Sequence, residues 1–337
     1  GALARQKAAM LWSFIAEASY LPNGELAGDA TAMLEQVWPH QRRVVAEAAA
    51  AWPDGRLLCD QVGMGKTIEA ILVIRRLMAG RGVRRALIVL PAGLLRQWQG
   101  ELREKGGLLF PRLEGVNTLI WPNGDSEKVS GLAQALQQDV LLMSRETART
   151  ENNLPLLLAA PPWDLVVLDE AHAARRRKPE EGEFNSGTLL LDLLRQLQLR
   201  RRVRGILLLS ATPMQINPWE PWDLLAVLGE GGRWLAEFAQ VREFYQAIGD
   251  VGAGRCHLPA ARRTAALIAS DPDFPPLPGA HTSDAIAQRL AFAPSSQRAD
   301  LAGWMRQGAP LMRRMHRNTR STLRQYYEQG VLPDPPP

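Results

Sequence analysis

A glycine-rich segment, residues 60–67, carries the strongest chemical signal in the sequence. It reads Asp-Gln-Val-Gly-Met-Gly-Lys-Thr, follows an apolar run and precedes a helical pattern. In that setting glycines let the backbone wrap around a phosphate group, and the N–H groups at the helix start point at the anion. Lys66 would reach the β- and γ-phosphates, and the Thr67 hydroxyl would ligate Mg²⁺. The residues expected to bind the nucleotide here are Gly63, Met64, Gly65, Lys66 and Thr67.

Two adjacent carboxylates end a second apolar run, residues 165–172, which reads Leu-Val-Val-Leu-Asp-Glu-Ala-His. Ligands of open α/β sheets bind at the carboxyl ends of the strands. Asp169 would hold Mg²⁺ through water, and Glu170 would orient and deprotonate the water that attacks the phosphate. A plain helix N-cap is the alternative for such a pair, but the phosphate loop upstream favours catalysis. The predicted catalytic residues are therefore Lys66, Asp169 and Glu170, with Thr67 and Asp169 at the metal.

Short, continuous apolar runs must position these segments, and such runs are typical of strands buried on both faces. The predicted strands are residues 57–60, 86–90, 117–121, 140–143, 165–169 and 205–209. Helical patterns lie between them, as at residues 67–78, 93–105 and 188–200. This alternation predicts an α/β fold with a mostly parallel sheet covered by helices on both faces.

The strand signal stops after Thr212, which suggests a division of the chain into three parts. We expect an N-terminal helical segment at residues 1–38 and an ATP-binding lobe at 39–228. A helical extension and linker would follow at 229–337. No second run of parallel strands follows.

The composition has 46% hydrophobic and 22% charged residues, as in a globular protein with a sizeable core. No apolar run reaches the roughly 18 residues of a membrane span, so we expect a cytoplasmic protein with no membrane partner. Two cysteines provide neither a disulfide framework nor a zinc site. The net charge of +5 is compatible with a polyanionic partner. The excess of Arg over Lys also fits a GC-rich genome, so charge alone does not identify that partner.

The Asp-Glu-Ala-His segment, together with Ser-Ala-Thr-Pro at residues 210–213, resembles the superfamily-two helicase-like ATPases. Three further segments are similar to the Swi/Snf branch of that superfamily: residues 39–41, 90–98 and 212–217. They read Pro-His-Gln, Leu-Pro-Ala-Gly-Leu-Leu-Arg-Gln-Trp and Thr-Pro-Met-Gln-Ile-Asn. The resemblance implies a RecA-like lobe that uses ATP and Mg²⁺. Trp98, at the end of the second segment, is expected to pack in the core.

The resemblance also implies roles for single residues around the nucleotide. Gln41 would read the adenine base, and a polar helix start is the alternative. Ser210 and Thr212 would couple the state of the γ-phosphate to movement between lobes, whereas a capping turn is the simpler possibility. His172 would link these residues to the hydrolysis site.

The resemblance also implies contacts with nucleic acid. They are expected in segments that directly follow β-strands of the lobe. Phosphate contacts by Arg and Ser fix position without reading bases. Solvated surface charge is the alternative for each. The candidates are Arg96, Ser144, Arg145, Arg175, Arg176 and Arg177.

These features together predict the ATP-binding lobe of a nucleic-acid-stimulated translocase on double-stranded DNA. In this family the arginines that complete the site come from a second lobe, which the resemblance places outside residues 1–337. These residues alone should therefore be nearly inactive. An ATP-responsive scaffold in a multiprotein defence or transcription complex is the alternative, and an unrelated phosphate-loop kinase is disfavoured by the motif spacing. The segment at 317–327 resembles two bacterial subgroups, the helicase-like component of the DISARM anti-phage system and RapA. The first is preferred.

Overall fold

The computed structural model describes residues 37–59, 65–171, 189–211, 219–229, 232–317, 324 and 327–329. Contacts divide the chain into two units, residues 1–213 with 316–337 and residues 214–315. The predicted N-terminal segment at 1–38 lies almost entirely outside the described residues. The predicted boundary at 228/229 falls within the second unit, and the three-part division stays a prediction.

A nine-stranded sheet has the order β5-β4-β3-β6-β2-β7-β8-β1-β9. Its strands are β1 (Arg56–Leu58), β2 (Ala86–Leu90), β3 (Arg112–Glu114), β4 (Thr118–Ile120), β5 (Ser126–Lys128), β6 (Val140–Ser144), β7 (Trp163–Leu168), β8 (Val203–Leu209) and β9 (Met315–His316). The central pairs β6–β2, β2–β7, β7–β8 and β8–β1 are parallel. The helices of the first unit are α1 (Pro39–Ala51), α2 (Lys66–Gly80), α3 (Leu95–Gly106), α4 (Leu132–Ala135), α5 (Arg145–Ala148), α6 (Leu154–Ala159) and α7 (Leu189–Leu199).

The central strands are buried on both faces. Helices α1, α2 and α3 share one apolar cluster with alternate strand residues such as Ile88 and Val167. The neighbouring strand residues Leu87 and Val166, which point to the opposite face, are also buried. The apolar residues of these strands are therefore continuous because both faces are buried, and the predicted α/β fold with a mostly parallel sheet is confirmed.

The predicted strand at 117–121 forms β4, but it is not part of the parallel series. It pairs antiparallel with both β3 and β5, two strands that the apolar pattern did not predict. The loops between these strands are too short for a parallel crossover, which needs a dozen or more residues. Gly115 and Gly124 supply positive φ values of 62° and 90° in those loops. The result is an antiparallel meander at one edge of a mostly parallel sheet.

The second unit is helical over most of its described length, as predicted. It contains α8 (Trp219–Leu228), α9 (Phe238–Ala253), α10 (Leu258–Ala269), α11 (Ser283–Phe292), α12 (Arg298–Gly308) and α13 (Pro310–Arg313). One short strand lies beyond residue 212, because β9 joins the sheet edge, where Cys59 N donates to His316 O at 2.8 Å. No helix in the described ranges is both long and apolar enough to cross a bilayer.

Candidate active site

Five parallel strands end at one edge of the sheet, and the predicted site residues lie at or after those ends. In spatial order the strands are β6, β2, β7, β8 and β1. The residues at or directly after their carboxyl ends are Ser144, Pro91, Asp169, Ser210 and Cys59. Because parallel neighbours end at the same edge, segments far apart in sequence meet there. The structure therefore places the described parts of the predicted catalytic segments side by side.

The described end of the phosphate loop lies against Gln41. Gly65 is the N-cap of α2 and has φ 81°, a left-handed conformation that favours glycine. A Cβ on Gly65 would lie 2.2 Å from Gln41 Nε2. Gln41 is 3% exposed, and its Oε1 accepts from Trp38 N at 2.9 Å. The predicted adenine-reading residue is thus held beside the loop. Gly63 and Met64 lie outside the described residues.

A buried polar pair connects the helix that carries Gln41 to the helix that follows the phosphate loop. His40 Nε2 lies 3.8 Å from Glu69 Oε1, and both side chains are fully buried. Glu69 belongs to the first turn of α2. The contact fixes α1 against α2, so it also fixes Gln41 against Gly65. No role was predicted for Glu69 from the sequence. Its carboxylate, the single acidic side chain of α2, was the signal that could have found it.

Lys66 and Asp169 face each other across the site, with Lys66 Nζ 3.8 Å from Asp169 Oδ1. Both are largely buried, at 16% and 5% side-chain exposure. Thr67 stands in the same first turn of α2. In the described part of the chain, no group of three or more His, Cys, Asp or Glu side chains could hold a metal ion. One carboxylate, one hydroxyl and substrate phosphates nevertheless fit Mg²⁺, which seldom uses an all-protein cage.

Trp98 has a role that the sequence argument missed. It is buried in the core, as expected, but its indole Nε1–H also donates to Asp169 Oδ2 at 3.1 Å. Asp169 Oδ1 accepts in turn from Glu170 N at 2.8 Å. Both oxygens of the buried carboxylate are therefore oriented by hydrogen-bond donors of the protein. An indole at this position has a polar function as well as an apolar one.

Glu170 and Arg145 form an ion pair at the mouth of the site. Arg145 Nη1 lies 3.5 Å from Glu170 Oε2, and Arg145 Nε lies 3.3 Å from Glu146 Oε1. Glu146 Oε2 accepts from Ala92 N at 3.1 Å. Partial burial opposes ionisation of Glu146, but hydrogen bonds from the backbone N–H groups of Glu146 and Ala92 and the Arg145 guanidinium outweigh it, so the pKa of Glu146 is lowered.

Some of the remaining predicted site residues lie within the described ranges of the structure, and others lie outside them. Ser210 is buried at the end of β8, where its backbone N donates to Leu58 O at 2.9 Å. The Ser144 hydroxyl caps α5 by accepting from Thr147 N at 3.0 Å, whereas Arg96 is exposed on α3. Contacts of these residues with nucleic acid stay predictions. The predicted residues outside the described ranges are His172, Arg175, Arg176, Arg177 and Thr212.

Comparison with known proteins gives a consistent result. The family model described as the SNF2-related domain matches residues 40–255. An uncharacterized ATP-dependent helicase, YqhH of Bacillus subtilis, is 30% identical over 215 residues, which cover 62% of this chain and 33% of that protein. The RNA polymerase-associated protein RapA of Yersinia pestis is 30% identical over 217 residues, covering 63% of this chain and 21% of RapA. The chain thus spans a third or less of these curated relatives.

Among solved structures, the Sulfolobus solfataricus SWI2/SNF2 ATPase core in complex with dsDNA is similar with a TM-score of 0.48 and 15% identity. The match covers 89% of this chain and 47% of that one.

Proposed function

The chain belongs to the SNF2-related domain family, and from this premise we propose that it is the ATP-binding lobe of a nucleic-acid-stimulated ATPase that moves along double-stranded DNA. One observation carries the proposal. Lys66 and Asp169 face each other at 3.8 Å, and Glu170 follows directly at the same sheet edge. This is the set that phosphoryl transfer to water needs: a cation for the phosphates, a carboxylate for the metal and a base.

Each residue has a distinct part in the proposed reaction. The N–H groups at the start of α2 and the Lys66 ammonium would bind the phosphates, and Gln41 would contact the adenine from its place beside Gly65. Mg²⁺, held by Thr67 and Asp169, would neutralise charge on the phosphate oxygens. Glu170 would accept the proton of the attacking water. Trp98 keeps the Asp169 carboxylate in one orientation.

The alternative of a scaffold with vestigial turnover is disfavoured, because Lys66, Asp169 and Glu170 are all present and brought together. Similarity to the RNA polymerase-associated protein RapA favours a transcription complex as the assembly in which the protein acts. Membership of a phage-defence complex stays a prediction, and so does a cytoplasmic location.

The test measures phosphate release and nucleotide binding by the natural full-length protein. Duplex DNA should raise the ATPase rate of the wild type. Glu170→Gln should lower turnover by about 10²-fold or more, the usual share of a general base, while nucleotide binding persists. Lys66→Ala should weaken binding itself. Glu104→Gln, an exposed carboxylate on α3, is the matched control and should behave as wild type. Wild-type turnover by Glu170→Gln would assign the base elsewhere.

A further inference from the structure

Arg145 lies between two carboxylates that belong to different parts of the lobe. Its Nε lies 3.3 Å from Glu146 Oε1, and its Nη1 lies 3.5 Å from Oε2 of Glu170, the proposed base. The Arg145 side chain is 23% exposed and that of Glu170 is 37% exposed. The bridge is therefore partly buried, but a large ligand at the surface can still reach it.

The backbone on each side directs the two side chains toward each other. Ser144 caps the first turn of α5, which fixes the position from which Arg145 extends. Glu170 has φ 52°, a left-handed conformation that is uncommon for residues other than glycine. The bond from Glu170 N to Asp169 Oδ1 supports this turn. Strands β6 and β7 flank β2, so the pair spans about 10 Å of sheet edge, two strand spacings.

The contact has a consequence for hydrolysis. A carboxylate keeps lone pairs for other donors when a guanidinium engages one oxygen, but its orientation is then restrained. Glu170 can serve as base only when its carboxylate can turn to the attacking water. An ion pair with Arg145 that restrains this rotation therefore opposes hydrolysis.

We propose that Arg145 is a positioning residue that restrains Glu170 until a backbone phosphate of duplex DNA binds the Arg145 guanidinium and releases the carboxylate. The inference rests on the proposed function. Arginine binds phosphate oxygens with paired, charge-assisted hydrogen bonds, so a phosphate can compete with one partly exposed carboxylate. The same side chain would then contact DNA and control the base, which explains how nucleic acid stimulates turnover.

The test compares ATP turnover by the natural full-length wild type, Arg145→Ala and Arg145→Lys, each with and without duplex DNA. Exposed ion pairs are weak, so Arg145→Ala should raise the DNA-free kcat by about two- to fivefold, or about 0.4–1 kcal/mol at 1.36 kcal/mol per tenfold. The KM for ATP should stay constant, and stimulation by DNA should shrink by the same factor or more. Arg145→Lys keeps one charge and should lie between the two.

Arg263→Ala is the matched control, because Arg263 forms an exposed pair with Glu243 at 2.7 Å in the other unit. It should change neither rate. A DNA-free rate of Arg145→Ala equal to or below wild type would overturn the proposal. If that variant is unstable, Arg145→Lys decides by the same criterion. A wild-type rate that duplex DNA fails to raise would refute the proposed function and the release step with it, whatever the Arg145 variants do.

Discussion

Trp98→Phe tests whether the indole holds the metal-binding carboxylate. The substitution removes the N–H that donates to Asp169 Oδ2 at 3.1 Å and keeps an aromatic ring in place. Trp98 is 2% exposed and Asp169 is 4% exposed, so bulk water cannot readily replace the lost donor. The structure therefore predicts a loss larger than that of trimming an apolar ring.

The magnitude follows from the charge on Asp169. A hydrogen bond to a charged group contributes about 1.5–3 kcal/mol. Trp163→Phe provides the correction for ring size, because Trp163 is 1% exposed and its Nε1–H has no hydrogen-bond acceptor within the described part of the chain. We expect the free energy of unfolding to fall by about 1.5–3 kcal/mol more for Trp98→Phe than for Trp163→Phe.

The assay is urea unfolding of the 337-residue chain in a double-mutant cycle with Asp169→Ala. Coupling between Trp98→Phe and Asp169→Ala should be about 1.5–3 kcal/mol. The cycle of Trp163→Phe with Asp169→Ala should give a value near zero, because Trp163 lies at the opposite end of β7. Coupling below about 0.5 kcal/mol for the Trp98 cycle would show that Trp98 only fills space and that Asp169 is oriented by other groups.

Two further predictions concern the edges of the site. Gly65→Ala should lower stability by at least about 1–2 kcal/mol through its left-handed φ alone and should weaken Mg·ADP binding in calorimetry, since its Cβ would displace Gln41. Gly93→Ala, which meets no described atom within 4 Å, should preserve binding, and equal affinities of the two variants would contradict the loop geometry. Glu146 has a lowered pKa, so its stabilising contribution exists above its ordinary pKa and disappears as pH falls through the folded value. Glu146→Gln should therefore cost at most about 1 kcal/mol at pH 7, and this cost should shrink and disappear as the pH falls below the lowered pKa of Glu146, as measured by unfolding across pH. A cost that does not change with pH would refute this assignment.

Local sequence alone was enough to predict the central sheet. Strands β2, β6, β7 and β8 lie where continuous apolar runs predicted them. A strand covered on both faces does not alternate between apolar and polar residues, because both sets of side chains are buried. The antiparallel β3–β4–β5 meander could not be predicted in the same way. Its strands are three residues each, and β5 is the polar segment Ser-Glu-Lys, so its pairing depends on neighbours rather than on its own pattern.

The sequence also determined which residue types were available for chemistry: a glycine-rich loop with Lys66, and Asp169 with Glu170 after an apolar strand. Parallel strand ends bring such segments together, which is why their proximity was predictable. The side-chain contacts were decided by the tertiary structure. The contact of Trp98 with Asp169 joins residues 71 positions apart, and that of Arg145 with Glu170 joins residues 25 apart. Neither contact follows from the periodicity of a single helix or strand. Each depends on how α3 and α5 pack beside the end of β2.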